Sequence, residues 1–158
     1  MKTYVGSTHT VNFLKPKKLK KLAEVAIKTL NTMSDKYDTL VFCGISGAII
    51  GPMVALAVSK EMVLVRKKGD IRHSGYDVAG YSSPKKYIII DDFVDSGETA
   101  THIQKEMHKF QPKAECLGVL SVQELVGAPT QYKPKRKDLD TRYNIPALSL
   151  ALQVELKG

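Results

Sequence analysis

Two adjacent carboxylates, Asp91 and Asp92, are the residues of this sequence best suited to chemistry. They follow the apolar run Tyr87 to Ile90, which is typical of a buried strand. Two carboxylates at a strand end are unfavourable for stability because their negative charges repel each other, and this repulsion raises the pKa of each. The same pair can bind a cis-diol, or hold a divalent cation together with its water ligands. The spacing therefore predicts a ligand site at the end of this strand.

A run of small and polar residues, Asp95 to Thr99, follows the two acids and opens a helical pattern that continues to Phe110. Such a turn leaves backbone N–H groups and two hydroxyl groups at a helix N-terminus, where phosphate groups bind well. The alternative is a capped turn with Asp95 or Ser96 as N-cap. A cap accounts for one acid and one hydroxyl, so we favour a phosphate site.

Two further strand ends carry residues suited to anions. Gly44-Ile45-Ser46-Gly47 follows the apolar run Thr39 to Cys43, and a basic segment from Arg66 to Gly75 follows the run Met62 to Val65. A basic loop that contains glycine can neutralise the charge of a departing anion and close over it. Taken alone, the basic segment would be better interpreted as a solvated loop or a nucleic-acid patch.

The surrounding pattern predicts a single α/β domain with an open, mostly parallel sheet flanked by helices. Ligands of such sheets bind beyond the carboxyl ends of the strands, where the candidate residues lie. Two segments, 67–85 and 127–146, fit no element, and the alternation in 148–154 predicts a half-buried strand. The predicted helices are 16–33, 47–59 and 99–110, and the predicted strands are 39–43, 62–65, 87–90 and 116–122.

The bulk properties narrow the class of protein. The chain has 158 residues and a net charge of +8, which suits nucleic acid, a polyphosphate metabolite or simple solubility. Cys43 and Cys116 lie in separate apolar runs, so we expect buried free thiols and a cytoplasmic, reducing setting. The longest apolar stretch, 48–58, is too short to span a membrane. The lysines near the start of the first helix are typical of a solvated helix face.

The segment from Ile88 to Thr99 resembles the phosphoribosyl pyrophosphate motif of type I phosphoribosyltransferases. The resemblance implies that Asp91 and Asp92 bind the ribose hydroxyls. It implies that the turn Asp95-Ser96-Gly97-Glu98-Thr99 wraps the 5′-phosphate through backbone amides and the hydroxyls of Ser96 and Thr99. Asp95 occupies the position that hypoxanthine-guanine members place near the base N7, so the resemblance makes it a candidate catalytic residue.

The other two strand ends extend the resemblance. Gly44 to Gly47 is similar to the pyrophosphate loop of the family, and we place the non-proline cis peptide that this loop often contains at Ile45–Ser46. Val65 to Gly69 is similar to adenine members, and Arg72 to Gly75 to the mobile loop of orotate members. The resemblance makes Lys67 a candidate catalytic residue. It also implies that pyrophosphate is bound by Gly44, Ile45, Ser46, Gly47, Arg66, Lys67, Arg72 and His73.

The resemblance implies Mg²⁺-dependent transfer of ribosyl 5-phosphate from phosphoribosyl pyrophosphate to a nucleobase, with release of pyrophosphate. Adenine is favoured, because Val122-Gln123-Glu124 lacks the lysine by which 6-oxopurine members read the base. The alternatives are orotate or another base, or a non-catalytic regulator that binds phosphoribosyl pyrophosphate and nucleic acid. The intact set of the two acids, the glycine loop and the basic loop disfavours the regulator, so we expect nucleic acid to be an unlikely partner. Mg²⁺ would be held through the ligand, with Asp91 and Asp92 as further candidates.

The resemblance also implies an arrangement of the chain. We expect a homodimer whose subunit has a core at about 36–125 and a hood over the base formed by residues 1–15 and 126–158. Tyr4, Phe13 and Tyr143 are the candidate stacking partners of the base within that hood.

Overall fold

The computed structural model describes residues 3, 5, 6, 11, 14–70, 75–92 and 97–122, and these form alternating helices and strands. Each helix and strand predicted between residues 16 and 122 is present, with ends that differ by at most three residues. In chain order the elements are α1 (Pro16–Asn31), β1 (Thr39–Cys43), α2 (Gly44–Ala57), β2 (Glu61–Val65), β3 (Val78–Gly80), β4 (Lys86–Asp91), α3 (Glu98–Phe110) and β5 (Glu115–Ser121).

The five strands form one sheet in the order β3-β2-β1-β4-β5. β1 pairs in parallel with β2 and with β4, and β4 pairs in parallel with β5. The edge strand β3 runs antiparallel to β2, with Val78 opposite Val65. The sequence did not predict β3, because its three residues lie in a segment rich in glycine, serine and charge. The prediction that 67–85 holds no element is therefore wrong at these three positions.

The sheet is covered on both faces. α1 and α2 pack on one face against Leu40 and Ile88, and α3 packs on the other against Val41 and Ile89. All five residues of β1 are buried. Burial on both faces explains why the central strands are continuously apolar rather than alternating, and it confirms the predicted fold class.

The amino ends of the central strands are held together by Asp38. Its carboxylate accepts a hydrogen bond from the backbone N–H of Lys86 at 2.9 Å and another from the Thr39 hydroxyl at 2.6 Å. The backbone N–H of Asp38 donates to the Lys86 carbonyl oxygen at 3.0 Å. These bonds fix β1 beside β4 at the amino edge, and so set the relative position of their carboxyl ends.

Several predictions from the sequence fall outside the described residues. They concern the strand at 148–154, most of the two hood segments, and the stacking residues Tyr4, Phe13 and Tyr143. These remain predictions, as does the homodimer. None of the helices in the part of the chain that the structure describes is long and apolar enough to cross a membrane.

Candidate functional site

The carboxyl ends of β1 and β4 lie side by side in the centre of the sheet. From β1 the chain crosses through α2 to β2 on one side, whereas β4 pairs with β1 on the other side. This reversal of strand order is a topological switch point, where open α/β sheets leave a crevice for ligands. The residues predicted from the sequence follow these two strands and β2.

Asp91 is the last residue of β4 and Asp92 follows it, and both are more than nine-tenths buried. The backbone N–H of Asp92 donates a hydrogen bond of 2.9 Å to Asp91 Oδ1. Burial, together with the neighbouring Asp92 side chain, raises the pKa of Asp91 to about 8. A buried carboxyl group of this kind is unfavourable for the fold alone and is suited to accept hydrogen bonds from a bound polar ligand.

Lys67 lies across Gly44, which brings the loop after β2 against the end of β1. A Cβ atom at Gly44 would stand 2.8 Å from Lys67 Cε, and Gly44 has a φ of +69°. Both the left-handed backbone and the close approach require glycine here. The charge of Lys67 lowers the pKa of Asp91 and of Cys43, against the larger effect of burial. The structure therefore groups Gly44, Lys67 and Asp91 from three strand ends.

The predicted pyrophosphate loop is the first turn of α2. The helix begins at Gly44, after Cys43 in extended conformation. The described residues contain no cis peptide bond, so the predicted cis bond at Ile45–Ser46 is wrong. The left-handed Gly44 makes the sharp turn from strand to helix instead. Ile45 is 74% exposed and Ser46 is half-buried, whereas Gly47 packs on Phe42, with 3.2 Å between a built Cβ and Phe42 Cβ.

The second half of the predicted phosphate turn opens α3. Gly97 is the N-cap with a left-handed φ of 79°, and α3 starts at Glu98, with Thr99 half-buried in the same turn. The Gly97 carbonyl oxygen accepts a hydrogen bond from the Thr101 N–H at 2.9 Å. The helix N-terminus thus lies where a phosphate site was predicted. Asp95, Ser96, Arg72 and His73 lie outside the described residues.

A cleft of about 610 Å³ separates the loop after β2 from α3. Its lining is strongly charged and includes Arg66, Lys67, Lys105 and Glu98. His102 of α3 bridges it, with Nε2 at 2.8 Å from the Arg66 carbonyl oxygen. His102 could not be singled out from the sequence, since an isolated histidine within a helix carries no spacing signal.

Ser121 is a second residue of the site that the sequence did not indicate. It is the Cα partner of Asp91 across the β4–β5 pair, and it is 2% exposed. Its Oγ has no hydrogen-bond partner within the described part of the chain. A buried hydroxyl without a partner is costly unless a ligand or solvent satisfies it. The only signal was a serine near the end of the apolar run 116–122.

Asp91 and Asp92 could help to bind a divalent cation that is also coordinated by the phosphate groups of a ligand. Among the described residues no three His, Cys, Asp or Glu side chains form a cluster able to hold a metal ion alone. Mg²⁺ needs fewer protein ligands, because it keeps several waters and is often bound by one or two carboxylates together with substrate phosphates. Asp91 and Asp92 meet that lesser requirement.

Solved structures identify the fold. An adenine phosphoribosyltransferase is 22% identical, with a TM-score of 0.56 over 71% of this chain and 72% of that one. The adenine enzyme of Trypanosoma brucei is 16% identical, with a TM-score of 0.60 over 87% of this chain and 65% of that one. The orotate enzyme of Francisella tularensis is 17% identical, with a TM-score of 0.56 over 72% and 55% of the two chains. The chain has the type I phosphoribosyltransferase fold, as the sequence motifs predicted.

Curated relatives point to a different role from those enzymes. Transcriptional regulator GfcR 2 of Methanosarcina acetivorans is 23% identical over 135 residues, which cover 82% of this chain and 60% of that protein. Transcriptional regulator GfcR of Methanocaldococcus jannaschii is 29% identical over 97 residues, covering 57% of this chain and 46% of that protein. The chain thus spans about half to two-thirds of their length. No protein-family model matches it.

These relatives correct the function predicted from the sequence. A nucleobase salvage enzyme was favoured because the motifs resemble those of adenine phosphoribosyltransferases. That prediction is wrong, since the relatives found by sequence are named as transcriptional regulators. The alternative, a regulator that binds phosphoribosyl pyrophosphate, fits them better. The physical reason for the error is that a ligand motif reports what is bound and carries no information on whether a reaction follows.

Proposed function

We propose that this chain binds phosphoribosyl pyrophosphate as a signal and regulates transcription through its interaction with nucleic acid. The observation that carries the proposal is the match to named transcriptional regulators over 82% and 85% of the chain. Because these matches extend over most of the chain, they support a role that the whole domain, and not the ligand motif alone, shares with those regulators. The expectation that nucleic acid is an unlikely partner is replaced accordingly.

The ligand is inferred from the chemistry at the three strand ends. Asp91 and Asp92 would accept hydrogen bonds from the ribose hydroxyls, which would satisfy two buried carboxyl groups. The N-terminus of α3 at Gly97 would hold the 5′-phosphate, because its backbone N–H groups and its dipole favour an anion. Lys67 and the first turn of α2 at Gly44 would hold the pyrophosphate. Bound Mg²⁺ would neutralise part of the phosphate charge beside the two acids.

Regulation requires that the ligand favour one arrangement of the protein over another. The proposed ligand spans parts of the chain that are distant in sequence: the loop after β2, the first turn of α2, and the start of α3. The loop is joined to α3 by the hydrogen bond of His102 to the Arg66 carbonyl oxygen. A ligand bound at both ends of this hydrogen bond would hold the loop and α3 in one relative position. The ligand would then bind this arrangement more tightly than any other, as regulation requires.

The test measures both halves of the proposal on the full chain. Calorimetry with Mg²⁺ reports binding of phosphoribosyl pyrophosphate. Fluorescence anisotropy of a labelled 30-base-pair duplex pool of random sequence reports DNA affinity with and without that ligand. We expect the ligand to change DNA affinity by about fivefold or more, the lower end of typical coupling between sites.

The matched variants are Asp91→Asn/Asp92→Asn and Asp35→Asn, the latter at an exposed turn position. The double variant should lose ligand binding and the ligand response but remain folded and bind DNA, whereas Asp35→Asn should behave as wild type. A DNA affinity that does not respond to the ligand would refute the proposal. Steady release of pyrophosphate with any base in a nucleobase panel would refute it equally, because it would make the chain an enzyme.

A further inference from the structure

Helix α1 presents a row of lysines to solvent, here called the lysine face: Lys17, Lys21 and Lys28. At 3.6 residues per turn their side chains lie within about 40° of one another around the helix axis. The buried residues of α1, among them Leu22 and Ala26, lie on the opposite side. Lys18 and Lys20 are exposed beside the row, so five lysines occupy the outer half of one helix.

This charge is poorly compensated within the described part of the chain. No carboxylate of the described residues forms an ion pair with Lys17, Lys21 or Lys28. Glu24 is the one acid of α1, and its ion pair is with Lys20 at 3.8 Å. Both side chains of that pair are largely exposed, and such pairs contribute little. Glu24 lies on the same side of the helix as the lysines, so five lysines and one glutamate give the outer side of α1 a net charge of +4.

The start of α1 adds to this potential. The first turn contains no acidic residue, and no side chain caps it. Cations at a helix N-terminus are unfavourable, since the helix dipole places positive charge there as well. Lys17 and Lys18 lie in this turn, where local helix stability favours acids. An arrangement that opposes local stability and concentrates positive charge is suited to a polyanionic partner.

The packing of α1 decides between two kinds of anionic surface. A helix that lies on a membrane needs a free apolar face opposite its lysines. Here that face is occupied, because Leu22, Ala26 and Leu30 are each at most 1% exposed in the core against the sheet. Among the described residues, none buries the charged side of α1, whose lysines are exposed and available to a partner. A nucleic acid backbone, which presents closely spaced phosphates and needs no apolar contact, fits such a surface.

We propose that the lysine face of α1 binds the phosphate backbone of duplex DNA. The inference rests on the proposed function and extends it by naming the surface that contacts the nucleic acid. The contact is sequence-independent, because lysine ammonium groups on phosphates position a protein without reading bases. It gives the affinity a steep dependence on salt, since each neutralised phosphate releases condensed counterions.

The test compares two triple variants of the full chain that remove the same charge. Lys17→Gln/Lys21→Gln/Lys28→Gln removes the lysine face. Its control, Lys36→Gln/Lys85→Gln/Lys113→Gln, removes three exposed lysines just before β1, β4 and β5, at the amino edge of the sheet. Glutamine keeps helix propensity close to that of lysine, so both variants should fold.

The measurement is anisotropy of the 30-base-pair random duplex pool over a series of salt concentrations. The lysine-face variant should lose about tenfold or more in affinity, and its slope of log affinity against log salt should fall by about 0.9 per lost phosphate contact. The control should stay within about twofold of wild type. Circular dichroism and binding of phosphoribosyl pyrophosphate should be unchanged in both, which separates lost contact from lost fold.

Three outcomes would overturn the inference: equal loss of DNA affinity in both variants, no loss in the lysine-face variant, or tighter binding of wild type to single-stranded RNA or to anionic lipid vesicles than to the duplex.

Failure of this inference is distinguishable from failure of the proposed function. If the lysine-face variant keeps a DNA affinity that still responds to phosphoribosyl pyrophosphate, the surface is wrong and the function stands. If wild type binds DNA through the lysine face with no response to the ligand, the surface stands and the function is wrong.

Discussion

His102 Nε2 lies 2.8 Å from the backbone carbonyl oxygen of Arg66, although the two residues are 36 positions apart in the chain. The contact joins α3 to the loop after β2. It lies between the two parts of the site that we assign to opposite ends of the same ligand, the 5′-phosphate at the start of α3 and the pyrophosphate at Lys67. We therefore infer that His102 is a positioning residue for the loop.

Replacing His102 by leucine should weaken binding of phosphoribosyl pyrophosphate but leave binding of ribose 5-phosphate unchanged. The loss should be about two- to tenfold, the range expected for one hydrogen bond of net 0.5–1.5 kcal/mol. Calorimetry with the two ligands checks this, and His102→Gln should recover part of the affinity. His108→Leu, at an exposed position of the same helix, is the control. An equal loss for both ligands would show that His102 supports the helix rather than the loop.

The stability of the protein should fall with rising pH because of Asp91. Its pKa in the folded state is raised to about 8, from about 3.9 in an unfolded chain. Between these values the folded state holds a proton that the unfolded state has lost, so the stabilising contribution is complete below pH 4 and is lost as pH rises through 8. Urea unfolding of the free protein at pH 4, 6, 8 and 9 measures the trend.

The same carboxyl group makes Asp91→Asn a stabilising change at high pH. Asparagine keeps an oxygen for the Asp92 N–H and removes the buried charge, so the gain at pH 9 should be roughly 1–3 kcal/mol. At pH 4 the variant and wild type should be nearly equal. Asp35→Asn, at an exposed position, should show no such difference between the two pH values. A variant that is no more stable than wild type at pH 9 would mean that the folded protein tolerates the Asp91 charge without cost.

The sequence was sufficient to predict the central sheet and most of its helices. β1 and β4 are buried on both faces, and this gives continuous apolar runs with clear ends. The two acids at the end of β4 were visible because adjacent carboxylates there are unfavourable for stability and therefore suggest a ligand. The short edge strand β3 was not predicted, since its pairing depends on the close approach of Gly80 to β2, which no local pattern reports.

The contacts that complete the site are the part that sequence patterns could not supply. Lys67 reaches Gly44, and His102 reaches Arg66, only because β1, β2 and α3 are brought together by tertiary packing. The buried hydroxyl of Ser121 is likewise defined by its pairing with Asp91. The biological role was the largest error, because enzymes and regulators of this fold can share one ligand motif.

Gly51→Ala should destabilise the protein by about 1–3 kcal/mol through overpacking. A Cβ atom there would lie 2.5 Å from Cδ1 of Phe42, a buried residue of β1. A loss of stability here would be informative, because alanine in the middle of a helix is ordinarily more favourable than glycine. Chemical denaturation measures the change. Gly75→Ala, where an added Cβ meets nothing within 4 Å, is the control and should be nearly neutral. A stabilised Gly51→Ala would mean that α2 can move away from β1 without cost.

Both cysteines should be unreactive towards thiol reagents in the folded protein. Burial, and then the charge of Asp91, raise the pKa of Cys43 to about 11, and burial raises the pKa of Cys116 to about 11. The thiolate is the reactive form, so little of it exists at pH 7.5. Cys43 should be the slower of the two, because it is buried and Cys116 is half-buried.

Ellman's reagent at pH 7.5 measures these rates. The folded protein should react at least about tenfold more slowly than free cysteine, and the protein in guanidinium should release two equivalents at once. Cys116→Ser isolates Cys43, and Cys43→Ser isolates Cys116. Rapid, stoichiometric modification of Cys43 in folded Cys116→Ser would mean that the end of β1 opens to solvent, and it would contradict the buried position of Cys43 beside Asp91 and Lys67.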